Sequence, residues 1–412
     1  MALRSILLLL ALVSATACPA TAQEAQVAAP VIAASDGSTT CKPAQTVAIS
    51  DATAGATIYY TLDGTQPTTS SSVYSGPITL TGTQTLIARA VEPGYQRSGT
   101  VAAVAGKLLA CDDKITISVG GLSRSFLIHV PPSYAATRTQ ANPSPLLLDI
   151  HGYYAGSETP DEVVSWEVNY SGEKTVSNER GFILIYPEAT EIEVQGTEYH
   201  SWAGVYCCQP ALGSVDDVGF LEQVISWGET YGLVDTSRVY IMGYSNGSQM
   251  AHRMACDANA SKMVTAVAAV SWPINEAADQ CAPAHPMPMM EVHGTTDGTI
   301  LYGGNTVPPA SHTDPPITIS APAGAAVWRQ INQCDTTTPV ELPVTWQGIT
   351  YDGSGAGGPD KITHIKSKNC ANGVYTGLIS VYNAGHDVFD DALNADKFSV
   401  AEFLWSTIFA KP

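Results

Sequence analysis

One serine stands where a nucleophile could act. Ser245 is at the centre of the motif Gly-Tyr-Ser-Asn-Gly at residues 243–247. The apolar residues 239–242 before it predict a short buried strand, and apolar side chains at helical spacing after it predict a helix: Met250, Ala251, Met254 and Ala255. A strand, a tight turn and a helix around such a motif indicate a nucleophile elbow, which presents the hydroxyl beside a backbone N–H. The pattern predicts that Ser245 attacks an ester carbonyl and that the Asn246 N–H stabilises the oxyanion.

A serine nucleophile also needs a base, and a carboxylate that orients the base. In α/β-hydrolases the acid and then the histidine follow the serine along the chain. Asp297 fits the acid, since it lies in a loop directly after the apolar strand predicted at 289–293. The histidines beyond it are His312 in a Pro-rich stretch, His364 in an alternating strand and His386 in a loop after the last core strand. We predict His386 as the base, because a loop after the final core strand is where the base belongs. Asp387 is a rival acid, but it is too close in sequence to reach the far side of the His386 ring, so Asp297 is predicted as the acid.

The loop after the predicted strand 146–150 reads His-Gly-Tyr-Tyr. In α/β-hydrolases this loop supplies a second oxyanion donor, and the Tyr153 N–H is the candidate here. His151 is expected to brace the loop rather than to react. Three aromatic residues are candidates for the wall of a substrate cleft, and for the first of them a plain packing role is equally open: Trp202, Tyr154 and Tyr244.

From residue 108 to 412 the pattern alternates between strands and helices, which predicts an α/β fold. Asp216 and Asp217 open one helix, and because adjacent helical positions point apart, they are interpreted as helix-capping residues rather than a catalytic pair. A short helix is expected to begin at Trp328 and to end near Cys334, and a final helix is expected over 395–409. The Pro-rich residues 306–322, which precede the helix expected at Trp328, predict an exposed excursion.

The residues from 24 to about 106 show a different pattern, in which short alternating runs are separated by clusters of Gly, Pro, Ser and Asp. This predicts a small antiparallel β-sandwich. Its most distinctive piece, Tyr-Tyr-Thr-Leu-Asp-Gly-Thr-Gln-Pro at 59–67, resembles the immunoglobulin-like domain at the C-terminal end of chitobiases. That resemblance leaves two interpretations, attachment to a polymer through tyrosines such as Tyr74 and Tyr95, or a spacer, which we favour.

The first 22 residues predict a secretory signal, with Arg4 before an apolar core and a small-residue cleavage site. Processing as a lipoprotein at Cys18 is the alternative. With 19 basic against 38 acidic residues, the net charge of −19 excludes nucleic acid and anionic membranes as partners. No later segment is apolar and long enough for a membrane helix. No residues have metal-ligand or phosphate-loop spacing, so no cofactor is expected.

Eight cysteines follow Cys18, an even number that in an oxidising compartment predicts four disulfides. Cys334 is expected to pair with Cys370, since the two bracket the segment before the last strand. Cys41 is the expected partner of Cys111 at the domain junction. Finally, we expect Cys207 or Cys208 to bond to Cys256 or Cys281. This disulfide would tie the long loop beside the predicted nucleophile to the sheet.

Residues 112–409 resemble the secreted esterase family that includes poly(3-hydroxybutyrate) depolymerases and the feruloyl and acetylxylan esterases. The resemblance rests on these residues: Arg-Ser-Phe-Leu-Ile-His-Val-Pro-Pro from 124, Cys207-Cys208, Val-Asp-Asp-Val-Gly-Phe-Leu from 215, the serine motif, His-Gly-Thr-Thr-Asp from 293, Tyr-Gly-Gly from 302, and Trp328 with Cys334. It implies an α/β-hydrolase sandwich with Ser245, Asp297 and His386 as nucleophile, acid and base. Tyr153 stands where many members have Cys, and Asp-Val-Phe follows His386 where bacterial members have Trp-Pro-Gly.

Three functions are compatible with these patterns. The favoured one is a secreted serine esterase that releases feruloyl or acetyl groups from polysaccharide, because the N-terminal domain resembles one attached to polysaccharide-active enzymes. The alternative is the same chemistry on an aliphatic polyester, as in a poly(3-hydroxybutyrate) depolymerase. The third is an inactive binding protein on a hydrolase fold, which the complete set of nucleophile, acid and base disfavours.

Overall fold

The computed structural model describes residues 26–36, 41, 44–82, 84–137, 142–155, 167–194, 197–203, 215–275, 280–307, 317–337, 339–353, 361–389 and 398–409. The predicted signal segment with Cys18, the pair Cys207 and Cys208, and His312 lie outside these residues.

A small β-sandwich opens the described chain, with strands β1 (Val31–Ala34), β2 (Thr46–Ser50), β3 (Thr57–Thr61), β4 (Ser72–Val73), β5 (Ile78–Thr79), β6 (Thr85–Val91) and β7 (Thr100–Val104). They form two antiparallel sheets, in the orders β1-β2-β5 and β4-β3-β6-β7. Alternate side chains, such as Val47 and Ile49 on one sheet and Leu86 and Ala88 on the other, fill the core between them. The predicted sandwich is confirmed.

The larger part of the chain is built on one mixed sheet and a small hairpin sheet. Their strands are β8 (Cys111–Val119), β9 (Leu122–Val130), β10 (Ser144–Ile150), β11 (Tyr154–Ala155), β12 (Ile183–Pro187), β13 (Thr190–Val194), β14 (Thr197–Ser201), β15 (Val234–Tyr244), β16 (Ala266–Val270), β17 (Met289–Gly294), β18 (Glu341–Trp346), β19 (Ile349–Tyr351), β20 (Ile362–Lys366) and β21 (Thr376–Val381).

The mixed sheet has eleven strands in the order β19-β18-β20-β21-β17-β16-β15-β10-β12-β9-β8. Its centre, from β12 to β21, is parallel, whereas the strands at both ends pair antiparallel. Every residue of β10, β12, β16, β17 and β21 is buried, because core lies on both faces of the sheet. Parallel strands covered on both faces read as continuous apolar runs, which is why the sequence located them. The α/β prediction is confirmed.

Helices cover the sheet: α1 (Pro132–Thr137), α2 (Glu173–Arg180), α3 (Asp217–Tyr231), α4 (Asn246–Cys256), α5 (Ala321–Ile331) and α6 (Val400–Leu404), which continues as a π-turn over Trp405–Phe409. Asp216 caps α3, since its carboxylate accepts the Gly219 N–H at 2.8 Å. The predicted first residue of α5 was wrong. The helix begins at Ala321, seven residues before Trp328, because Pro322 fits a first helical turn and Ser320 accepts the Ala323 N–H. None of the described helices is long and apolar enough to cross a membrane.

Three disulfides lie within the described residues. Cys41 bonds Cys111 and Cys334 bonds Cys370, as the sequence predicts. Cys256 bonds Cys281, so the expected bond from either of these to Cys207 or Cys208 is wrong. Cys256 ends α4, and the Ala282 N–H donates to its carbonyl at 3.1 Å, which holds Cys281 beside the helix end. A disulfide-bonded structure fits an oxidising compartment.

The sandwich meets the mixed sheet at a packed joint. Cys41, Val104 and Leu108 belong to the same core cluster as β9 and β10. The Leu108 N–H donates to the Tyr231 carbonyl at the end of α3 (2.7 Å), and the Asp113 carboxylate accepts the Cys41 N–H (2.9 Å). The Cys41–Cys111 disulfide crosses the same joint, so covalent and apolar contacts hold the two parts together there.

A buried carboxyl, Glu291 on β17, faces α4 and α5. Its oxygen accepts the Ile274 N–H at 3.1 Å and lies 3.6 Å from His252 Nε2. Burial raises the pKa of Glu291 to about 8 and lowers the pKa of His252 to about 3. Both side chains are therefore neutral at pH 7, and the contact is not an ion pair.

We expect Glu291→Gln to become more stable, relative to the unchanged protein, as the pH rises from 5 to 9. Because the folded carboxyl holds its proton up to about pH 8 and the unfolded one loses it near the ordinary pKa of 4.5, unfolding releases a proton between these values. Stability of the unchanged protein is then fully present below about pH 4.5 and falls towards pH 8, with a slope on the order of 1 kcal/mol per pH unit. The neutral amide lacks this slope. Thermal unfolding of both proteins across the pH range measures it, and a constant difference in melting temperature would contradict the prediction.

Candidate active site

Ser245 lies at the sharp turn between β15 and α4. Its backbone angles are φ 53° and ψ −119°, a conformation that costs energy for a residue with a side chain. The glycines on either side are required by close approach. A Cβ on Gly243 would lie 2.2 Å from the Gly247 carbonyl oxygen, and a Cβ on Gly247 would lie 2.0 Å from the Ile150 carbonyl oxygen. The tight turn thus depends on both glycines of the motif.

The structure brings Ser245, His386 and Asp297 together, as the sequence predicts. Ser245 Oγ lies 2.9 Å from His386 Nε2, and His386 Nδ1 lies 2.7 Å from Asp297 Oδ2. The loops after β17 and β21 touch, since a Cβ on Gly294 would lie 2.3 Å from the Gly385 carbonyl oxygen. Thr296 donates to the Ala384 carbonyl through both its N–H (3.0 Å) and its hydroxyl (2.9 Å). These contacts fix the loop that carries His386 against the loop that carries Asp297.

Asp297 is held as an anion. Its Oδ1 accepts the N–H groups of Thr299 and Ile300, each at 2.8 Å. Its Oδ2 faces His386 and, at 3.3 Å, also His293 Nε2. Burial alone would raise the pKa of Asp297, but hydrogen bonds from His293 and His386 outweigh it and hold the pKa well below its usual range. His293 was noted in the sequence only as the first residue of the His-Gly-Thr-Thr-Asp stretch, and its contact with Asp297 was not predicted.

The two hydrogen bonds of His386 connect the Ser245 hydroxyl to the Asp297 carboxylate. With the Nδ1 proton of His386 donated to Asp297, Nε2 is left as an acceptor for the Ser245 hydroxyl. A proton leaving Ser245 would be taken up by His386, and the carboxylate would stabilise the resulting imidazolium. Such an arrangement can carry out nucleophilic acyl transfer.

Asp387, the rival acid, is occupied in its own loop. Its Oδ1 accepts the Val388 N–H at 2.7 Å and the Phe389 N–H at 3.2 Å. The Ser271 hydroxyl donates to the Asp387 carbonyl at 2.8 Å. These bonds stabilise the turn after His386, so Asp387 has a structural role.

Tyr244, predicted as a cleft residue, is buried and packs against His386. It is 8% exposed, its hydroxyl donates to the His386 carbonyl at 3.2 Å, and the two ring centroids are 5.1 Å apart. Burial, with nearby acidic groups, raises the pKa of Tyr244 above its usual value, so the hydroxyl stays a donor. Tyr154 is half-buried, with its ring 5.7 Å from that of His151 and its hydroxyl 3.4 Å from Glu167 Oε2.

The two candidate oxyanion donors belong to segments that adjoin Ser245. Asn246 is the first residue of α4, where backbone N–H groups have no acceptor within the helix and the helix dipole favours negative charge. Tyr153 follows Gly152, which packs against Ser245, since a Cβ on Gly152 would lie 3.2 Å from Ser245 Cβ. His151 braces this loop as predicted: its Nε2 accepts the Ala189 N–H (3.1 Å) and its Nδ1 donates to the Gly152 carbonyl (2.7 Å). Burial lowers the pKa of His151 to about 4, so the ring is neutral.

The prediction of Trp202 as a cleft residue is wrong, and the packing alternative holds. The side chain is 0% exposed and lies between His151, whose ring is tilted against it at a centroid distance of 5.3 Å, and Phe220, whose ring is stacked at 6.4 Å. A buried salt bridge next to it, from Arg124 to Asp217 at 2.8 Å, was also missed. Asp217 was interpreted as a capping residue like Asp216, but its carboxylate pairs with Arg124, a partner about ninety residues away in the chain.

Comparison with known proteins agrees with the two-part organisation. A family model described as "Chitobiase/beta-hexosaminidase C-terminal domain" matches residues 36–102. Feruloyl esterase B of Piromyces equi is 24% identical over 277 residues, which cover 66% of this chain and 44% of that protein. The bifunctional acetylxylan esterase/xylanase XynS20E of Neocallimastix patriciarum is 29% identical over 176 residues, which cover 42% of this chain and 22% of that protein. The chain thus spans less than half the length of these relatives.

Among solved structures, an acetyl xylan esterase from Aspergillus awamori aligns with a TM-score of 0.44 and 14% identity, covering 67% of this chain and 94% of that one. By sequence, the chain is therefore similar to a feruloyl esterase and an acetylxylan esterase, and its N-terminal sandwich is similar to the chitobiase C-terminal domain.

Proposed function

We propose that this chain is a secreted serine esterase that hydrolyses carboxylic esters of polysaccharides, with Ser245, His386 and Asp297 as nucleophile, base and acid. The observation that carries the proposal is the continuous hydrogen-bonded run from Asp297 through His386 to the Ser245 hydroxyl. The similarity to a feruloyl esterase and an acetylxylan esterase supports the feruloyl or acetyl group as the acyl part. The disulfides and the predicted signal segment support the extracellular location.

The reaction begins when Ser245 Oγ attacks the ester carbonyl while His386 Nε2 takes the hydroxyl proton. The carbonyl oxygen becomes an oxyanion, which the Asn246 and Tyr153 N–H groups stabilise. When the tetrahedral intermediate collapses, His386 returns its proton to the leaving alcohol, and the acyl group stays on Ser245. Water then enters, gives a proton to His386 and releases the acid by the reverse sequence. Asp297 holds the imidazole tautomer and stabilises the imidazolium in both halves of the cycle.

The test compares hydrolysis of methyl ferulate, p-nitrophenyl acetate and a poly(3-hydroxybutyrate) suspension, with Ser245→Ala as the blank. We expect turnover of the ferulate or acetate ester and little release from the polyester. EDTA is expected to leave the rates unchanged. Preferential clearing of the polyester would favour the depolymerase alternative, and a folded protein that hydrolyses none of the three would refute the proposed activity.

A further inference from the structure

Trp202 links the two segments that carry the proposed oxyanion donors. Its indole N–H donates to the His151 carbonyl at 2.9 Å, and its backbone N–H donates to Asn246 Oδ1 at 2.7 Å. The first contact is on the loop after β10, and the second is on the first residue of α4. One fully buried residue thus bonds to both sides of the site without reaching the cleft.

On the loop side, the bonded carbonyl precedes Gly152 and lies two residues before Tyr153. It faces the helix closely, since a Cβ on Gly247 would lie 2.5 Å from the His151 carbonyl oxygen. The indole N–H fixes the direction of this carbonyl, while the imidazole of His151 is held by Ala189 and Gly152. The course of the backbone into Tyr153 is set by these three bonds.

On the helix side, the Asn246 side chain is held by the segment of Trp202. Besides the Trp202 N–H, Asn246 Oδ1 lies 3.3 Å from the Ser201 hydroxyl, and Asn246 Nδ2 lies 3.5 Å from the Trp202 carbonyl. These bonds anchor the residue whose own backbone N–H is the other proposed donor.

The segment itself is anchored by buried charges. The Ala203 N–H donates to Asp217 Oδ2 at 2.7 Å, and Arg253 donates to the Ala203 carbonyl. Asp217 is paired with Arg124, whose guanidinium lies 4.0 Å above the Phe220 ring. A buried ion pair of this kind is costly to rearrange, because a displaced partner would leave an uncompensated charge. Trp202 is therefore held in a fixed place relative to α3 and α4.

We propose that Trp202 is a positioning residue that sets the separation between the two oxyanion donors. The inference rests on the proposed function. Two donors stabilise a developing oxyanion only when both are aimed at the place it will occupy, and small misplacement weakens the transition state more than the bound ester. Loss of the indole N–H frees the His151 carbonyl and lets the loop shift relative to α4. The expected effect is on kcat rather than on KM.

The test is Trp202→Phe, which keeps an aromatic ring and removes the indole N–H. With p-nitrophenyl acetate we expect kcat per active site to fall about 10- to 100-fold, less than the roughly 10²- to 10³-fold loss on deleting a donor outright, with KM changed less than kcat. Active sites are counted by the end point of fluorophosphonate labelling. A trifluoromethyl ketone, whose adduct with serine places an oxyanion at the same position, should lose affinity by the same factor as kcat/KM.

Trp328→Phe is the matched control. Trp328 is also fully buried, and its indole N–H donates to a ring nitrogen, His252 Nδ1 at 3.1 Å, on a residue that lies seven positions along α4 from Ser245. We expect a comparable loss of thermal stability in both variants but a loss of kcat only in Trp202→Phe. Equal kcat per active site in these two variants would overturn the inference.

Asn246 provides a second variant that needs no change at Trp202. Asn246→Ala removes the acceptor of the Trp202 N–H, keeps the backbone N–H of residue 246, and should lower kcat in the same way. Failure of Asn246→Ala to lower kcat would contradict the inference even where Trp202→Phe does not fold. These outcomes are distinct from failure of the proposed function, in which the unchanged protein itself would be no more active than Ser245→Ala.

Discussion

Replacing Ser245 by Ala is expected to lower kcat for ester hydrolysis by about 10⁶-fold, the size of loss when a catalytic serine that acts as a unit with its base is removed. The nucleophile is then absent, and no acyl-enzyme can form. His386→Ala should lose nearly as much, and the double variant should be hardly worse than either single one, because the serine and the base act in the same step. Initial rates on p-nitrophenyl acetate, measured against the uncatalysed reaction, give these factors.

Ser248→Ala is the control for this prediction. Ser248 lies three residues further along, is fully buried, and donates its hydroxyl to the Trp272 carbonyl at 2.7 Å. Its replacement should reduce stability but leave kcat within a few-fold. The Ser245→Ala variant should unfold at close to the original temperature, because the hydrogen bond it loses is the one to His386. A Ser245→Ala variant that keeps measurable turnover after purification from host esterases would place the nucleophile elsewhere.

The second large effect is expected for Asp297→Asn, with a loss in kcat of about 10⁴-fold. The amide matches the carboxylate in shape but no longer requires the Nδ1 proton of His386. The imidazole can then turn to the other tautomer, with its proton towards Ser245, and cease to be a base. The charge that stabilises the imidazolium is also lost. Because the pKa of Asp297 is held well below its usual range, acid conditions should not produce this loss in the unchanged protein before other carboxyls are protonated.

Asp387→Asn tests whether Asp387, rather than Asp297, is the acid. The Asp387 carboxylate accepts N–H groups of its own turn, so Asp387→Asn should lower the free energy of unfolding somewhat. Because the change only loosens the loop, kcat should fall at most about tenfold. Both variants would be assayed under the same conditions. A larger loss in Asp387→Asn than in Asp297→Asn would falsify the assignment of the acid.

The parts of the fold that the sequence predicts are those governed by local pattern. The buried parallel strands read as apolar runs, and the carboxyl ends of parallel strands lie at one edge of a sheet. Ser245, Asp297 and His386 follow β15, β17 and β21, so the sequence could place all three at the same edge of the sheet.

Features that depend on partners far apart in the chain were missed. The burial of Trp202 depends on His151, Asn246 and Phe220, and nothing in its own neighbourhood in the sequence shows that these three surround it. The Cys256–Cys281 bond was missed for a different reason: an even number of cysteines predicts disulfides but does not select among their pairings.

The joint at Cys41–Cys111 determines how mechanical load would enter the molecule. Cys111 is the first residue of β8, the edge strand that pairs with β9 along its whole length. With this bond intact, a pull on the chain before Cys41 would enter β8 directly and bypass residues 42–110. The antiparallel ladder of β8 and β9 would resist it before the parallel strands that carry Ser245 were strained. In a reducing medium the same pull would run along residues 42–110 first, so the strands of the sandwich would bear the load before the mixed sheet did.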